Sequence, residues 1–339
     1  MAYPTVNYIG NKEKIANWIS SLIPSDANSF LDVFAGGCSV AYKAKEMGLQ
    51  VFTNDILKIN CQIAEAIIEN QNDTLSEEDV NIIFSGVPYE GFMTINYADK
   101  FYYREECMEL DLYRSNIDKL STKYKRALAL ILMRRAMIRK MPYSRFTIQW
   151  EKVKQLRDEE FSYQHYKRRR HYHNQSFKFH FLDNLKEYNG AVFNNHQNNV
   201  TYNLDVYEAI KQIRADVIYL DPPYAGTMND YFGFYGLLDS YIEGRIVEPF
   251  KNNFIDKKSI TAQFEKLIQN LGNYKYWMLS YNSRSFPSKE ILLELFSKYS
   301  GDVKLYEMPY AYRVTGKEKK QKDIEYLFIA KNSTYEKQS

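Results

Sequence analysis

Val217-Ile218-Tyr219-Leu220 is apolar throughout, and Asp221-Pro222-Pro223-Tyr224 follows it with no spacer. A short run without polar alternation reads as a strand buried on both faces, the condition of strands in a parallel sheet. The paired prolines then end it, because each lacks an N–H and fixes φ near −65°. The segment therefore commits the chain to an α/β architecture with a functional strand end. In open sheets of that kind, ligands gather beyond the carboxyl ends of strands, where the strand order reverses. Here a carboxylate, a bare carbonyl and an aromatic face fall within four residues. Such a set accepts hydrogens from an amino group and stacks on a flat ring. A merely stiffened loop after a strand is the plainer alternative.

The opening of the chain has the same character. Ile15, Trp18, Ile19 and Leu22 recur at helical spacing before Pro24, and residues 30–34 form a short apolar run that meets Gly36-Gly37. A helix over residues 40–47 ends at Gly48, and a strand over 51–53 closes on Asn54-Asp55. This is the strand–turn–helix–strand opening of a doubly wound sheet. From about residue 72 to 188 the chain is mainly helical and charged, with its clearest helix over 121–141 ended by Pro142. Phe177, Phe179 and Phe181 alternate with Lys178 and His180, which predicts a half-buried strand. The α/β pattern resumes with strands at 200–202, 216–220 and 275–281 and helices at 206–213, 262–271 and 289–296. Strands at 303–306 and 324–330 close the chain, with an antiparallel pairing expected. The fold class is thus α/β, a doubly wound, mostly parallel Rossmann-like sheet, with residues 1–70 and 191–339 forming one discontinuous domain and 71–190 a mainly helical insertion.

Composition removes several classes of function. No apolar run approaches the ~20 residues of a membrane span, and residues 1–14 lack a secretory pattern. Cys38, Cys61 and Cys107 include no close pair, so neither a disulfide framework nor a zinc site is written, and a cytoplasmic protein is expected. His171, His173 and His180 have no nearby Cys or acidic triad to support a metal, so none is expected. With a net charge of only +3, basic residues matter by location.

A second constellation joins the first. Asp32 lies near the end of the residue 30–34 strand, and the Gly36-Gly37 turn lets the backbone approach a nucleoside closely. Asp55 ends the next strand, where a carboxylate binds ribose hydroxyls. The phosphate-binding G-x-G-x-x-G pattern is missing, which counts against a dinucleotide.

Tyr8-Ile9-Gly10-Asn11-Lys12, the Asp32–Ser39 segment, Asp55 and the Asp221–Tyr224 tetrapeptide follow one another as in the Dam-type (D12 class) DNA adenine-N6 methyltransferases, which this chain resembles over roughly its first 60 and last 140 residues. Asn11 stands where that family usually has Gly, and Cys38 where it often does. The resemblance implies S-adenosylmethionine as methyl donor and double-stranded DNA as partner. It places Tyr8 and Lys12 on the methionine end of the cofactor, Asp32, Phe34 and Gly36 along the methionine and sulfonium, Asp55 on the ribose and Asp205 on the adenine. Asp205 reads equally well as a helix N-cap. Asp221, Pro222, Pro223 and Tyr224 would form the catalytic tetrapeptide, with Tyr224 stacked on a base flipped from the duplex.

Basic residues concentrate in the insertion. Arg134, Arg135, Arg139, Lys140 and Arg145 straddle the end of the long helix, and Lys167, Arg168, Arg169 and Arg170 form a second cluster. Pro142-Tyr143-Ser144-Arg145-Phe146 resembles a Pro-aromatic-Gly-Arg-aromatic stretch from which family members reach DNA. Arg135, Arg139, Arg145 and the second cluster are the expected DNA contacts. Lys317, Lys319, Lys320 and Lys322 form a later basic stretch, and residues 225–236 an aromatic loop. Ser280-Tyr281-Asn282 resembles a family segment near the base pocket. The resulting expectation is sequence-specific adenine-N6 methylation in a restriction–modification system, with a restriction endonuclease as functional partner. Cytosine-N4 methylation and a non-catalytic DNA-binding module are the alternatives.

Overall fold

The structure is a computed structural model that describes residues 2–225, 231–249, 253–310 and 323–335. The basic stretch at Lys317, Lys319, Lys320 and Lys322 lies outside the described residues. The chain divides into two compact units. One, the sheet unit, comprises Gly10–Ile56, Asn195–Asn229 and Lys251–Ser339; the other, the helical unit, comprises Met1–Ile9, Leu57–Asn194 and Asp230–Phe250.

Seven strands build the sheet unit: β1 (Ser29–Asp32), β2 (Gln50–Asn54), β3 (Val200–Tyr202), β4 (Val217–Leu220), β5 (Tyr276–Asn282), β6 (Gly301–Tyr310) and β7 (Asp323–Asn332). Their order is β3-β2-β1-β4-β5-β7-β6. The first five run parallel; β7 is antiparallel to both β5 and β6. Every residue of β4 and β5 is buried, as the unbroken apolar run of β4 requires. On one face Leu31, Ile218, Leu220, Trp277, Leu279 and Phe328 meet Ile210, Phe264, Leu267 and Phe296 from the flanking helices.

The chain winds outward from β1 through β2 to β3 and then returns across β1 to β4, so the order reverses between β1 and β4. Register fixes what gathers there. Asp32 is level with Thr53 on one side and Tyr219 on the other. Asp55 and Asp221 therefore each lie two residues beyond that level, past the same ends of parallel strands.

In the helical unit the central helix is Lys123–Lys140, buried on nearly all sides. The expected strand at Phe177–Phe181 is instead the start of a helix, Phe177–Asn189. Ser176 caps it by accepting from the Phe179 N–H at 3.0 Å. Phe177 and Phe181, four apart, are fully buried while Phe179 is 49% exposed, so the aromatic alternation reflects one helical turn. The expected loop at 225–236 is likewise corrected: Tyr231–Glu243 is helical, and residues 226–230 lie outside the described residues. Tyr235 on that helix shows why 1–9 and 230–250 join the helical unit. It stacks on Tyr8 at 5.1 Å and its hydroxyl accepts from the Ile9 N–H at 2.9 Å. Among the described residues no helix is long and apolar enough to cross a membrane.

Candidate active site

Three carboxylates meet where the strand order reverses. Asp55 accepts from the Gly36 N–H at 2.8 Å, joining the turn after β1 to the end of β2. Gly36 has φ +50°, a left-handed conformation that glycine adopts without strain. Cys38, at φ +64°, begins the following helix Ser39–Glu46, so the residue that departs from the family's glycine occupies a glycine-like conformation. Asp32 is buried, and its Oδ1 has no hydrogen-bond partner among the described residues. Burial first, then the Asp221 and Asp55 charges, raise its carboxyl well above the usual range. Phe34 packs edge-on against Phe254 at 5.4 Å.

Asn54, which carries no obvious chemistry, braces this corner. Its Nδ2 donates to the carbonyls of Val33 (3.2 Å) and Leu204 (3.1 Å), and its Oδ1 accepts from the Leu204 N–H at 3.0 Å. The ends of β1 and β2 are thereby tied to the chain just after β3. Asp205 caps the helix Val206–Gln212 through the Tyr207 N–H at 2.9 Å. Its exposed carboxylate has that structural task, the second of its two sequence readings.

The tetrapeptide after β4 meets residues from distant parts of the sequence. The Lys12 ammonium is 3.0 Å from Asp221 Oδ1 and 3.1 Å from Glu325 Oε1, and it also donates to the Tyr224 hydroxyl. That hydroxyl is 3.1 Å from Asp221 Oδ1 and 2.9 Å from Glu325 Oε1. Ser280 donates to the same Glu325 oxygen at 2.7 Å, and the Tyr281 ring meets Tyr224 edge-on at 5.1 Å. Burial pushes the Asp221 carboxyl up, the Lys12 charge opposes it and the Glu325 charge adds to it, leaving it at about 6. Lys12, expected at the methionine end, thus has its three protons surrounded by acceptors of the tetrapeptide and β7. Tyr8 lies in the helical unit against Tyr235. Glu325 escaped the sequence reading; its one signal was an acidic side chain inside the apolar run of β7.

Within the helical unit the two basic clusters differ. Arg134 is buried, donating to the carbonyls of Val6 and, at 3.3 Å, Asn7. Arg135 is 9% exposed with Nε 3.3 Å from Asn184 Oδ1, and Lys140 bonds Glu106 and the Gln175 carbonyl. Arg135, expected with Arg139 as a DNA contact, lies on a helix packed on nearly all sides, where a buried polar group needs a partner inside the protein. Arg139 is half-buried over the Tyr172 ring at 5.1 Å. Arg145 is half-buried too and follows a turn in which Tyr143 and Ser144 have φ near +56° and +57°. Ser144 takes the conformation favoured by the glycine that family members carry there.

Lys167, Arg168 and Arg169 are exposed on the turn after the helix Glu159–Tyr166. Arg169 lies 4.9 Å over Tyr163, and Arg170 lies 4.8 Å over Tyr143 and 5.2 Å over Tyr166. Stacked guanidinium groups keep their edge N–H donors for other partners. The nearby histidines have separate tasks. His171 pairs with Glu159 at 2.6 Å, while burial holds both His173 and His180 near pKa 4, each bonded to a backbone carbonyl.

Residues 8–292 match the family described as D12 class N6 adenine-specific DNA methyltransferase. The chain is 59% identical over 330 residues to the Type II methyltransferase M2.HphI of Haemophilus parahaemolyticus, spanning 97% of this chain and 98% of that protein. It is 23% identical to the Type II methyltransferase M.CviAII of Paramecium bursaria Chlorella virus 1, over 87% and 88% of the two chains. Similarity to M.FokI of Planomicrobium okeanokoites, at 24%, spans 95% of this chain and 52% of that protein. The match covers both the carboxylate corner and the tetrapeptide that share the β1–β4 reversal, and the chain belongs to the D12 class of N6 adenine-specific DNA methyltransferases.

Proposed function

We propose that this enzyme methylates N6 of an adenine flipped from duplex DNA at a defined sequence, using S-adenosylmethionine, as the modification half of a restriction–modification system. The observation that carries the reading is the convergence of Asp32, Asp55, Asp221 and Tyr224 beyond the β1, β2 and β4 ends. The cofactor fits because the buried Asp32 oxygen, without a hydrogen-bond partner among the described residues, calls for a donor or a cation, and S-adenosylmethionine carries an ammonium and a sulfonium. When bound, it supplies an electrophilic methyl group. Asp32 would hold positive charge, Asp55 would hold ribose hydroxyls, and Phe34 would line the site.

Adenine N6 is a weak nucleophile because its lone pair is delocalised into the ring. Asp221 and the Pro222 carbonyl accept the amino hydrogens and thereby localise that pair on nitrogen. After the methyl is gained, nitrogen holds one excess proton, which passes to Asp221 or to water. Tyr224 stacks on the extruded base, a contact of about 1–3 kcal/mol. The restriction context is carried over from the Type II name of the 59% identical relative. Mapping modified adenines in DNA from cells that express the chain tests the reading; methylation confined to cytosine, or absent, refutes it.

Two further outcomes are expected. Asp55→Ala weakens S-adenosylmethionine binding by about 1.5–3 kcal/mol in calorimetry, since it removes a charged acceptor; unchanged affinity in a folded variant places the cofactor elsewhere. Replacing Lys167, Arg168, Arg169 and Arg170 together weakens binding to all duplex sequences alike. Each lost phosphate contact flattens the slope of log K against log salt by about 0.9. An unchanged salt slope would remove this turn from the DNA interface.

A further inference from the structure

Glu325 is a fully buried acidic side chain of β7, opposite Asn282 in the last pair of the β5–β7 ladder and followed by the buried Tyr326 and Leu327. A buried carboxylate is costly unless paired and hydrogen-bonded. Here three donors surround one oxygen: Ser280 at 2.7 Å, Tyr224 at 2.9 Å and Lys12 at 3.1 Å. A phenol has one proton, so Tyr224 donates to Glu325 or to Asp221 while accepting from Lys12. Among the described residues, the side-chain contacts of Asp221 fall on Oδ1 alone. Its Oδ2 is thereby left for the substrate. The Tyr224 ring is held by its hydroxyl bonds and by the edge-on contact with Tyr281.

We propose that Glu325 is a positioning residue for methyl transfer: with Lys12 it holds the Tyr224 hydroxyl and Asp221 Oδ1, so that Asp221 presents Oδ2 to the adenine amino group and Tyr224 presents a preset stacking face. The proposal rests on the reading of Asp221 and Tyr224 given above. It also fixes how charge is shared. Asp221 faces Lys12, Glu325, Tyr224, Asp32 and Tyr219. Glu325 faces Lys12, Ser280, Tyr224 and Asp221; burial works to raise its carboxyl, but Lys12, Ser280 and Tyr224 hold it below the ordinary value. Glu325 therefore remains an anion beside Asp221 and opposes its ionisation, whereas Lys12 favours it.

The test is single-turnover methylation of unmethylated plasmid DNA by excess enzyme, followed across pH, with cofactor affinity measured by calorimetry. Glu325→Ala should lower the plateau rate by roughly 10–100-fold, the scale of misplacing a reacting group. Glu325→Gln keeps an acceptor oxygen and should recover most of that loss. Its acid limb should move to lower pH because the opposing charge is gone, while Lys12→Gln should move the limb to higher pH. Cofactor affinity of Glu325→Gln should stay at the wild-type value. Should Glu325→Ala fail to fold, the opposed limbs of the two Gln variants carry the test. Unshifted limbs, or a wild-type plateau in folded Glu325→Ala, overturn the proposal. Asp221→Ala is run in parallel: a wild-type rate there sinks the underlying site reading, whereas an inactive Asp221→Ala beside normal Glu325 variants sinks this proposal alone.

Discussion

Asp221→Ala is expected to lower single-turnover methyl transfer by about a hundredfold or more, the usual cost of losing one preorganised transition-state group. Asp221 is the only carboxylate of the tetrapeptide, and its Oδ1 is already anchored by Lys12. Cofactor affinity should change little, because the cofactor residues belong to the β1 and β2 ends. Tyr224→Ala should also lose activity, chiefly through failure to retain the extruded base. A mispaired target adenine costs less to flip. It should partly rescue Tyr224→Ala and leave Asp221→Ala defective. Comparing paired and mispaired duplexes, once the methylated sequence is mapped, separates the two roles. Near-normal turnover of a folded Asp221→Ala protein would remove the central residue of the mechanism.

Glu106→Ala should cost about 3–5 kcal/mol of stability, because it leaves two buried cations without their counter-charge. Glu106 receives Arg157 at 2.6 and 2.8 Å and Lys140 at 2.9 Å, and it accepts from the Tyr103 N–H at 3.1 Å as part of a helix cap. Three helices of the helical unit, Arg104–Ile117, Lys123–Lys140 and Trp150–Arg157, thereby share one carboxylate. Burial pushes that carboxyl up, but Arg157 and Lys140 together hold it below the ordinary glutamate value. Its contribution to stability is therefore complete above the ordinary value and is lost as pH falls through the lower folded one. Denaturant midpoints of wild type and variant should converge on acidification through that window. A constant gap between them would assign the loss to packing alone.

The sheet was largely legible in the sequence because its signals are local. A four-residue apolar run ended by two prolines specifies a buried parallel strand whatever surrounds it. The aspartates follow directly on those short apolar runs, and the antiparallel closure of β6 and β7 matched the expectation. The helical unit was less legible. Phe177, Phe179 and Phe181 satisfy a period of two, and only burial of the first and third on one helical turn separates the two structures. Arg135 and Arg139 on the central helix were read as DNA contacts; packing on nearly all sides turned Arg134, Arg135 and Lys140 inward.

What the sequence by itself determined is the class of chemistry: residue types of one motif, contiguous in the chain, carry the carboxylate, carbonyl and ring that a base amino group needs. Tertiary structure alone decided which distant residues complete that motif. Lys12 and Glu325 are 313 positions apart, and nothing in either neighbourhood names the other. They meet because β7 inserts antiparallel between β5 and β6, which carries Glu325 to the Asn282 level at the end of β5. There, burial makes unpaired charge too costly to leave, and the lysine, the glutamate and the tetrapeptide satisfy one another.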